Sequence, residues 1–178
     1  MRIVAGRWKG RRLVAPEGRS VRPTADRVRE AWLSIVQPWL ADARVLDLFA
    51  GSGALGIEAV SRGAARADLV ENAADSLRAI DANLSALDAS ALVRVHRADA
   101  LRFMQDLPAH AYDVAFADPP YDLGLAAQVA ERWLVTPFAD VLGVEHRAFE
   151  KMPDGGDRRR YGGTAITVYR RGDTTERP

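Results

Sequence analysis

The 178-residue chain contains no cysteine and only three histidines, which stand apart without ligand spacing. That excludes disulfides, thiolate metal sites and a cysteine nucleophile, and no metal is expected. No apolar run approaches the roughly 20 residues that a membrane-spanning helix requires, so no membrane partner is expected. The opening residues, MRIVAGRWKG, carry cations but no apolar stretch of the kind a secretory signal needs. A cytoplasmic location is the expectation.

Net charge is also nearly absent, at +1 from 25 basic and 24 acidic residues, which excludes a uniformly basic surface. The two signs are segregated, however. Residues 1–30 carry a net +6, residues 31–150 a net −8 and residues 151–178 a net +3. An acidic body with basic ends suits a polyanion held by the ends. With 48% hydrophobic residues the length fits one globular domain with a sizeable core, and it is too short for two full catalytic domains.

What is present centres on DLFAGSGALG, running from Asp47 to Gly56. The apolar run over residues 43–49 predicts a buried parallel strand, and residues 54–62 predict a helix closed by Gly63. Between them Gly51, Gly53 and Gly56 follow the order G-x-G-x-x-G, which permits a tight turn, close approach of a ligand and close packing of helix on sheet. The helix N-terminus offers free amides to a nucleotide-like cofactor. A second strand over 67–70 leads to Glu71, twenty residues beyond Gly51, where an acid receives ribose hydroxyls in a doubly wound sheet.

Upstream, RIVAGRWKGRRLVAP alternates polar and apolar residues around Gly6 and Gly10, predicting a small hairpin or two short strands. Arg7, Lys9, Arg11 and Arg12 crowd it around Trp8. This cluster suits nucleic acid, although Trp8 equally suits a cover for the core. Pro23 and a capping Thr24 then predict a helix over 25–36, with Val28, Ala31, Trp32 and Ile35 on its core side. Arg22, Arg27 and Arg29 fall with the polar residues of this segment, and Pro38 ends the helix. Downstream, a helix over 73–87, a strand over 91–95 and the Asp99-Ala100 handover to another helix continue the alternation. The expectation is an open, mainly parallel α/β sheet with helices on both faces, with Asp47, Glu71 and Asp99 at the strand ends where ligands collect.

A strand over 112–117 ends in Asp118-Pro119-Pro120-Tyr121. The two prolines fix the backbone, so that the Pro119 carbonyl and the Asp118 carboxylate form an acceptor pair beside the flat face of Tyr121. Such a set fits a planar group bearing an exocyclic NH₂, such as a base turned out of its helix. Further on, a helix over 125–134, a strand over 141–145 and a last hairpin-like strand over 164–169 are expected. Glu145 and His146 qualify by position; a lone histidine after a strand is more often structural, and His146 is not assigned a role. The arginines 158–160 are read equally as RNA contacts or a solvated run.

DLFAGSGALG followed by DPPY resembles the S-adenosylmethionine-dependent amino-methyltransferases. Together with RIVAGRWKGRRL, RPTADRVREA, GALGIEAVSRGA and RYGGTAITVYRR, it resembles the RsmD family, which methylates guanine N2 in small-subunit (16S) ribosomal RNA. The resemblance implies a seven-stranded Rossmann-like sheet. It implies that Gly51 and Gly53 line the methionine part of S-adenosylmethionine and Asp47 places its ammonium. Glu71 would hold the ribose, and Asp99 with Ala100 the adenine. Asp118, Pro119 and Tyr121 would hold the target base, with S-adenosylhomocysteine as the by-product. Arg7, Lys9, Arg11, Arg22, Arg27 and Arg29 are the candidate RNA contacts. Where the family often carries an acid near the glycines of RYGGT, this chain has Gly163, so no acid is assigned there. The organisation expected is a basic N-terminal hairpin over 1–22, a methyltransferase domain over 23–171 and a frayed tail over 172–178. The partner implied is ribosomal RNA in an assembled or assembling small subunit, met by a monomer. Rival readings are methylation of adenine N6 or cytosine N4 in another nucleic acid, a nicotinamide-dependent oxidoreductase, and a non-catalytic RNA-binding factor.

Overall fold

A computed structural model of the protein describes residues 1–16 and 23–172. The elements run α1 (Pro23–Val36), a single 3-10 turn (Gln37–Trp39), β1 (Arg44–Leu48), α2 (Ala54–Ser61), β2 (Arg66–Glu71), α3 (Ala74–Leu87), β3 (Val93–Arg97), α4 (Ala100–Gln105), β4 (Tyr112–Ala117), α5 (Leu125–Val135), β5 (Ala139–Arg147), β6 (Asp157–Tyr161) and β7 (Thr164–Arg170). The seven strands form one sheet in the order β3-β2-β1-β4-β5-β7-β6. The first five run parallel, while β7 lies antiparallel between β5 and β6. Strand order therefore reverses between β1 and β4, and a crevice opens there at the carboxyl ends.

Alternation along each strand divides the core between the two faces. Val45, Val114, Phe116, Ile166 and Val168 join the cluster that α1, α2 and α3 cover. Leu46, Leu48, Ala115, Ala117 and Tyr169 join the cluster under α4 and α5. Trp32 is fully buried in the first of these, edge-on to Phe116 at 5.4 Å between centroids. Gly143 makes room for it, since a Cβ there would lie 2.1 Å from the indole nitrogen. His146 is likewise buried and structural, bonded to the Arg147 carbonyl and to Thr167 Oγ1 at 2.8 Å each.

The small N-terminal hairpin forms: Arg2 bridges Arg12, the Ile3 amide donates to the Arg11 carbonyl at 3.0 Å, the Gly10 amide to the Ile3 carbonyl at 2.8 Å and the Leu13 amide to the Met1 carbonyl at 3.1 Å. Ile3 and Leu13 are buried in the core beside α1 and α2, so pairing and burial together hold this arm. Two expectations change. α1 begins at Pro23 instead of Ala25, with the proline in a first turn where a missing amide costs nothing. The run DRRRY, read as charges preceding a strand, is itself edge strand β6. Its residues are mostly exposed, so it has no buried face to impose an alternating pattern, and its arginines discourage pairing with another sheet.

Candidate cofactor and base site

The glycine turn leaves β1 through a strained residue: Phe49 has φ +61°, in a region a bulky side chain rarely occupies. Each glycine answers a different need. Gly51 has φ +59°, and a Cβ there would meet nothing within 4 Å, so its upper side is open. Gly53 has φ +77° and precedes α2. Gly56 lets α2 settle on the sheet, because a Cβ there would lie 2.3 Å from Leu69 Cδ2.

Two acids brace this turn. Asp47 shares the sheet face of Val45 and is almost completely buried, and its Oδ2 accepts from the Gly56 amide at 2.9 Å. Burial pushes its carboxyl up to about 7; the Gly56 bond opposes that shift and the Glu71 charge adds to it. Glu71, at the end of β2, accepts from the Gly51 amide through Oε2 and from the Asn72 and Ala73 amides through Oε1, at 2.8 Å each. It thus ties the glycine turn to the start of α3. Asp99 is exposed at the head of α4 and caps it by accepting from the Arg102 amide at 2.9 Å; Ala100 is the first, buried residue of that helix.

β1 and β4 pair in register, Leu48 opposite Ala117, so Phe49 and Asp118 step off the sheet side by side. Asp118 is exposed and Pro119 is buried. Tyr121 is half-buried and fixed at its hydroxyl, which donates to Glu145 Oε1 at 2.6 Å and lies 3.2 Å from Thr164 Oγ1. The Arg147 guanidinium lies over the Tyr121 ring, 4.8 Å from its centroid, and forms a two-pronged ion pair with Asp122. Burial raises both the Tyr121 hydroxyl and the Glu145 carboxyl above their ordinary ranges, and the bond between them raises the first further while lowering the second. Of these supports only Glu145 stood out in the sequence. Arg147 and Thr164 had no local signal, because the antiparallel β5–β7 register that places them opposite each other joins distant segments.

The candidate RNA contacts separate. Arg7, Lys9 and Arg11 are exposed on the N-terminal arm. The Arg7 guanidinium sits 5.6 Å from the centre of the Trp8 ring, and Trp8 also packs against the core. Arg11 donates to the Ala86 carbonyl at the end of α3. Arg27 is exposed and lines an open groove of about 630 Å³ with Met1, Arg2, Arg12 and Asp26, and Met1 reaches Ser52 of the glycine turn. Arg29 needs correction: it is buried, bonded to the Arg2 carbonyl at 2.8 Å and paired with Asp26 and the fully buried Glu58. It fastens the arm to α1 and α2 and presents no surface to RNA. Arg22 lies outside the described residues. Among the described residues no group of three or more His, Asp or Glu is arranged to hold a metal ion, and no helix is long and apolar enough to cross a membrane.

Comparison with known proteins bears on the family and the fold. The family profile described as conserved hypothetical protein 95 matches residues 1–170. Ribosomal RNA small subunit methyltransferase D of Escherichia coli (strain K12) is 42% identical over 125 residues, covering 70% of this chain and 62% of that relative's length. The putative rRNA methyltransferase YlbH of Bacillus subtilis (strain 168) is 32% identical over 182 residues, covering 96% of this chain and 99% of the relative. Among solved structures, a putative methyltransferase, yhhF, from Escherichia coli superposes with a TM-score of 0.82 at 34% identity, covering 96% of this chain and 97% of that one.

Proposed function

Because the chain belongs to the conserved hypothetical protein 95 family, the RsmD family that its motifs resemble, we propose that it transfers a methyl group from S-adenosylmethionine to the exocyclic N2 of a guanine in small-subunit ribosomal RNA. The observation that carries this reading is the adjacency of two motifs. The glycine turn and Asp118-Pro119-Pro120-Tyr121 leave neighbouring, in-register strands at the point where strand order reverses.

The acids around the turn suit this cofactor. A carboxylate buried as Asp47 is ionises at a cost, which a ligand ammonium beside it offsets. Glu71 offers acceptors for ribose hydroxyls, the side of Gly51 is open, and Asp99 with Ala100 borders the adenine. S-adenosylmethionine supplies a methyl on a sulfonium, which leaves as a neutral thioether without help from a metal.

The protein's part is orientation and electrostatics. A guanine N2 is a weak nucleophile, because its lone pair is drawn into the ring. The Asp118 carboxylate and Pro119 carbonyl accept its two hydrogens, which localises the lone pair and aims it. Asp118 then receives the proton that N2 loses as its new bond forms. With Arg147 on one face of Tyr121, the base stacks on the other. Arg7, Lys9, Arg11 and Arg27 meet the phosphates, with Arg22 assigned to the same role from its position in the sequence. A monomer working in the cytoplasm on an assembled or assembling subunit goes with such a substrate. An oxidoreductase would leave the Asp118–Tyr121 constellation without a use.

The deciding assay is transfer from labelled S-adenosylmethionine to small ribosomal subunits that lack native modification, followed by nucleoside analysis. The expected product is N2-methylguanosine, absent with Asp118→Ala although that variant still binds the cofactor. Label in methyladenosine or methylcytidine overturns the guanine assignment.

A further inference from the structure

Two exposed apolar side chains stand on the loops that carry this site, and the proposed chemistry uses neither. Leu123 is 63% exposed and Phe149 is 82% exposed. Leu123 lies two residues beyond Tyr121 on the loop leaving β4, and Phe149 two residues beyond Arg147 on the turn leaving β5. The Asp122–Arg147 ion pair, at 2.9 Å, joins these loops, and the same Arg147 covers the Tyr121 ring.

The turn that carries Phe149 is ordered by hydrogen bonds. The Glu150 amide donates to the Arg147 carbonyl at 3.0 Å, the Ala148 amide donates to the Gly163 carbonyl at 2.9 Å, and the Arg158 guanidinium donates to the Ala148 carbonyl. A phenylalanine held in water by a well-bonded turn contributes no burial to the fold. The turn and the strand after it lean cationic: residues 147–160 include five Arg or Lys against three Asp or Glu, with Arg147 paired to Asp122 and Arg159 to Asp157, and arginines 158–160 run along the exposed edge strand β6. An aromatic ring among cations suits unpaired bases, which stack on the ring while the cations take the phosphates. An apolar protein helix would find too little apolar surface here.

We propose that Phe149 and Leu123 form a wedge that stacks against the RNA bases flanking the extruded guanine, holding the strand open while that guanine lies at Asp118. An inserted apolar side chain of this kind offsets part of the lost base stacking. The wedge rests on the guanine-N2 reading and adds to it a second contact region, on β4 and β5 loops distant in sequence from the basic N-terminal arm.

The test measures transfer to unmodified small subunits by wild type, Phe149→Ala, Leu123→Ala and Phe149→Trp, alongside S-adenosylmethionine affinity by calorimetry. Both alanine variants should keep wild-type cofactor affinity, because neither residue belongs to the glycine turn or to the acids assigned to the cofactor. Phe149→Ala should lower kcat/KM for the subunit about tenfold or more, in line with the loss of one aromatic–base stack, and Phe149→Trp should restore it. Replacing Phe149 by the photocrosslinker p-benzoylphenylalanine should yield a crosslink to ribosomal RNA next to the methylated guanine. Wild-type kcat/KM in both alanine variants overturns the wedge while leaving the guanine reading intact. A crosslink to a ribosomal protein or to a second copy of the chain also overturns it and makes the patch a protein contact. If wild type itself methylates no RNA guanine, the parent reading falls and the wedge with it.

Discussion

Asp47 shows how one buried carboxyl links stability to ligand binding. Its pKa is about 7 in the folded protein against an ordinary 3.8, so between those values the folded state binds more protons than the unfolded one. Its contribution is therefore least unfavourable below pH 4, and stability falls as pH rises to about 7, by about 4 kcal/mol at full effect. Asp47→Asn should flatten that part of the pH–stability curve, measured by urea unfolding from pH 4.5 to 8, while weakening S-adenosylmethionine binding. In wild type, cofactor affinity should rise with pH up to about 7, with a proton released on binding; a pH-independent affinity would contradict this. At Tyr121 the prediction concerns position. Tyr121→Phe removes the donor to Glu145 and leaves a largely buried carboxylate short of a partner, at about 1–3 kcal/mol. Transfer should slow while cofactor affinity stays, and Glu145→Gln, which keeps an acceptor for the hydroxyl, should be milder than Glu145→Ala in the same assay.

Between elements, the arm, α1 and α2 depend on one ionic cluster. Glu58 is fully buried on α2, 2.8 Å from Arg62 and 3.5 Å from Arg29, and it accepts from the Val4 amide at 3.1 Å. Ser61 adds bonds to the Ala5 carbonyl and the Trp8 amide. Glu58→Ala takes a buried carboxylate from two largely buried guanidiniums, Arg29 keeping Asp26 and Arg62 keeping the Gln37 side-chain oxygen, and should cost up to about 3–5 kcal/mol. Because the arm is anchored there, limited proteolysis should cut before residue 16 faster than in wild type, and equal rates would argue that the burial of Ile3 and Leu13 and the arm's hydrogen bonds hold it without Glu58. This cluster was not readable from the chain. Arg29 belongs to a polar helical face by spacing, and only the approach of α2 turns that face into an interior.

For the whole molecule, the crevice between the β1 and β4 ends couples ligand to fold. Cofactor at a hundred times its dissociation constant stabilises the folded state by about 2.7 kcal/mol, which for a chain of this size raises Tm by roughly 5–10 °C. Asp118→Ala should keep that shift and lose transfer, because Asp118 follows β4 while the acids assigned to the cofactor lie in β1, at the end of β2 and just after β3. Loss of both would place Asp118 in the cofactor site. Sequence alone determined the parallel half of the sheet, the glycine turn, Asp47 and Glu71, and the Asp118–Tyr121 motif, because apolar period, glycine spacing and proline restriction act within a few neighbouring residues. The tertiary structure decided the insertion of β7 between β5 and β6, the anchoring of Tyr121 by Glu145 and Thr164, the Asp122–Arg147 link and the burial of Arg29. Those depend on strand register and helix approach between segments up to 43 residues apart at Tyr121 and Thr164, which no local pattern encodes.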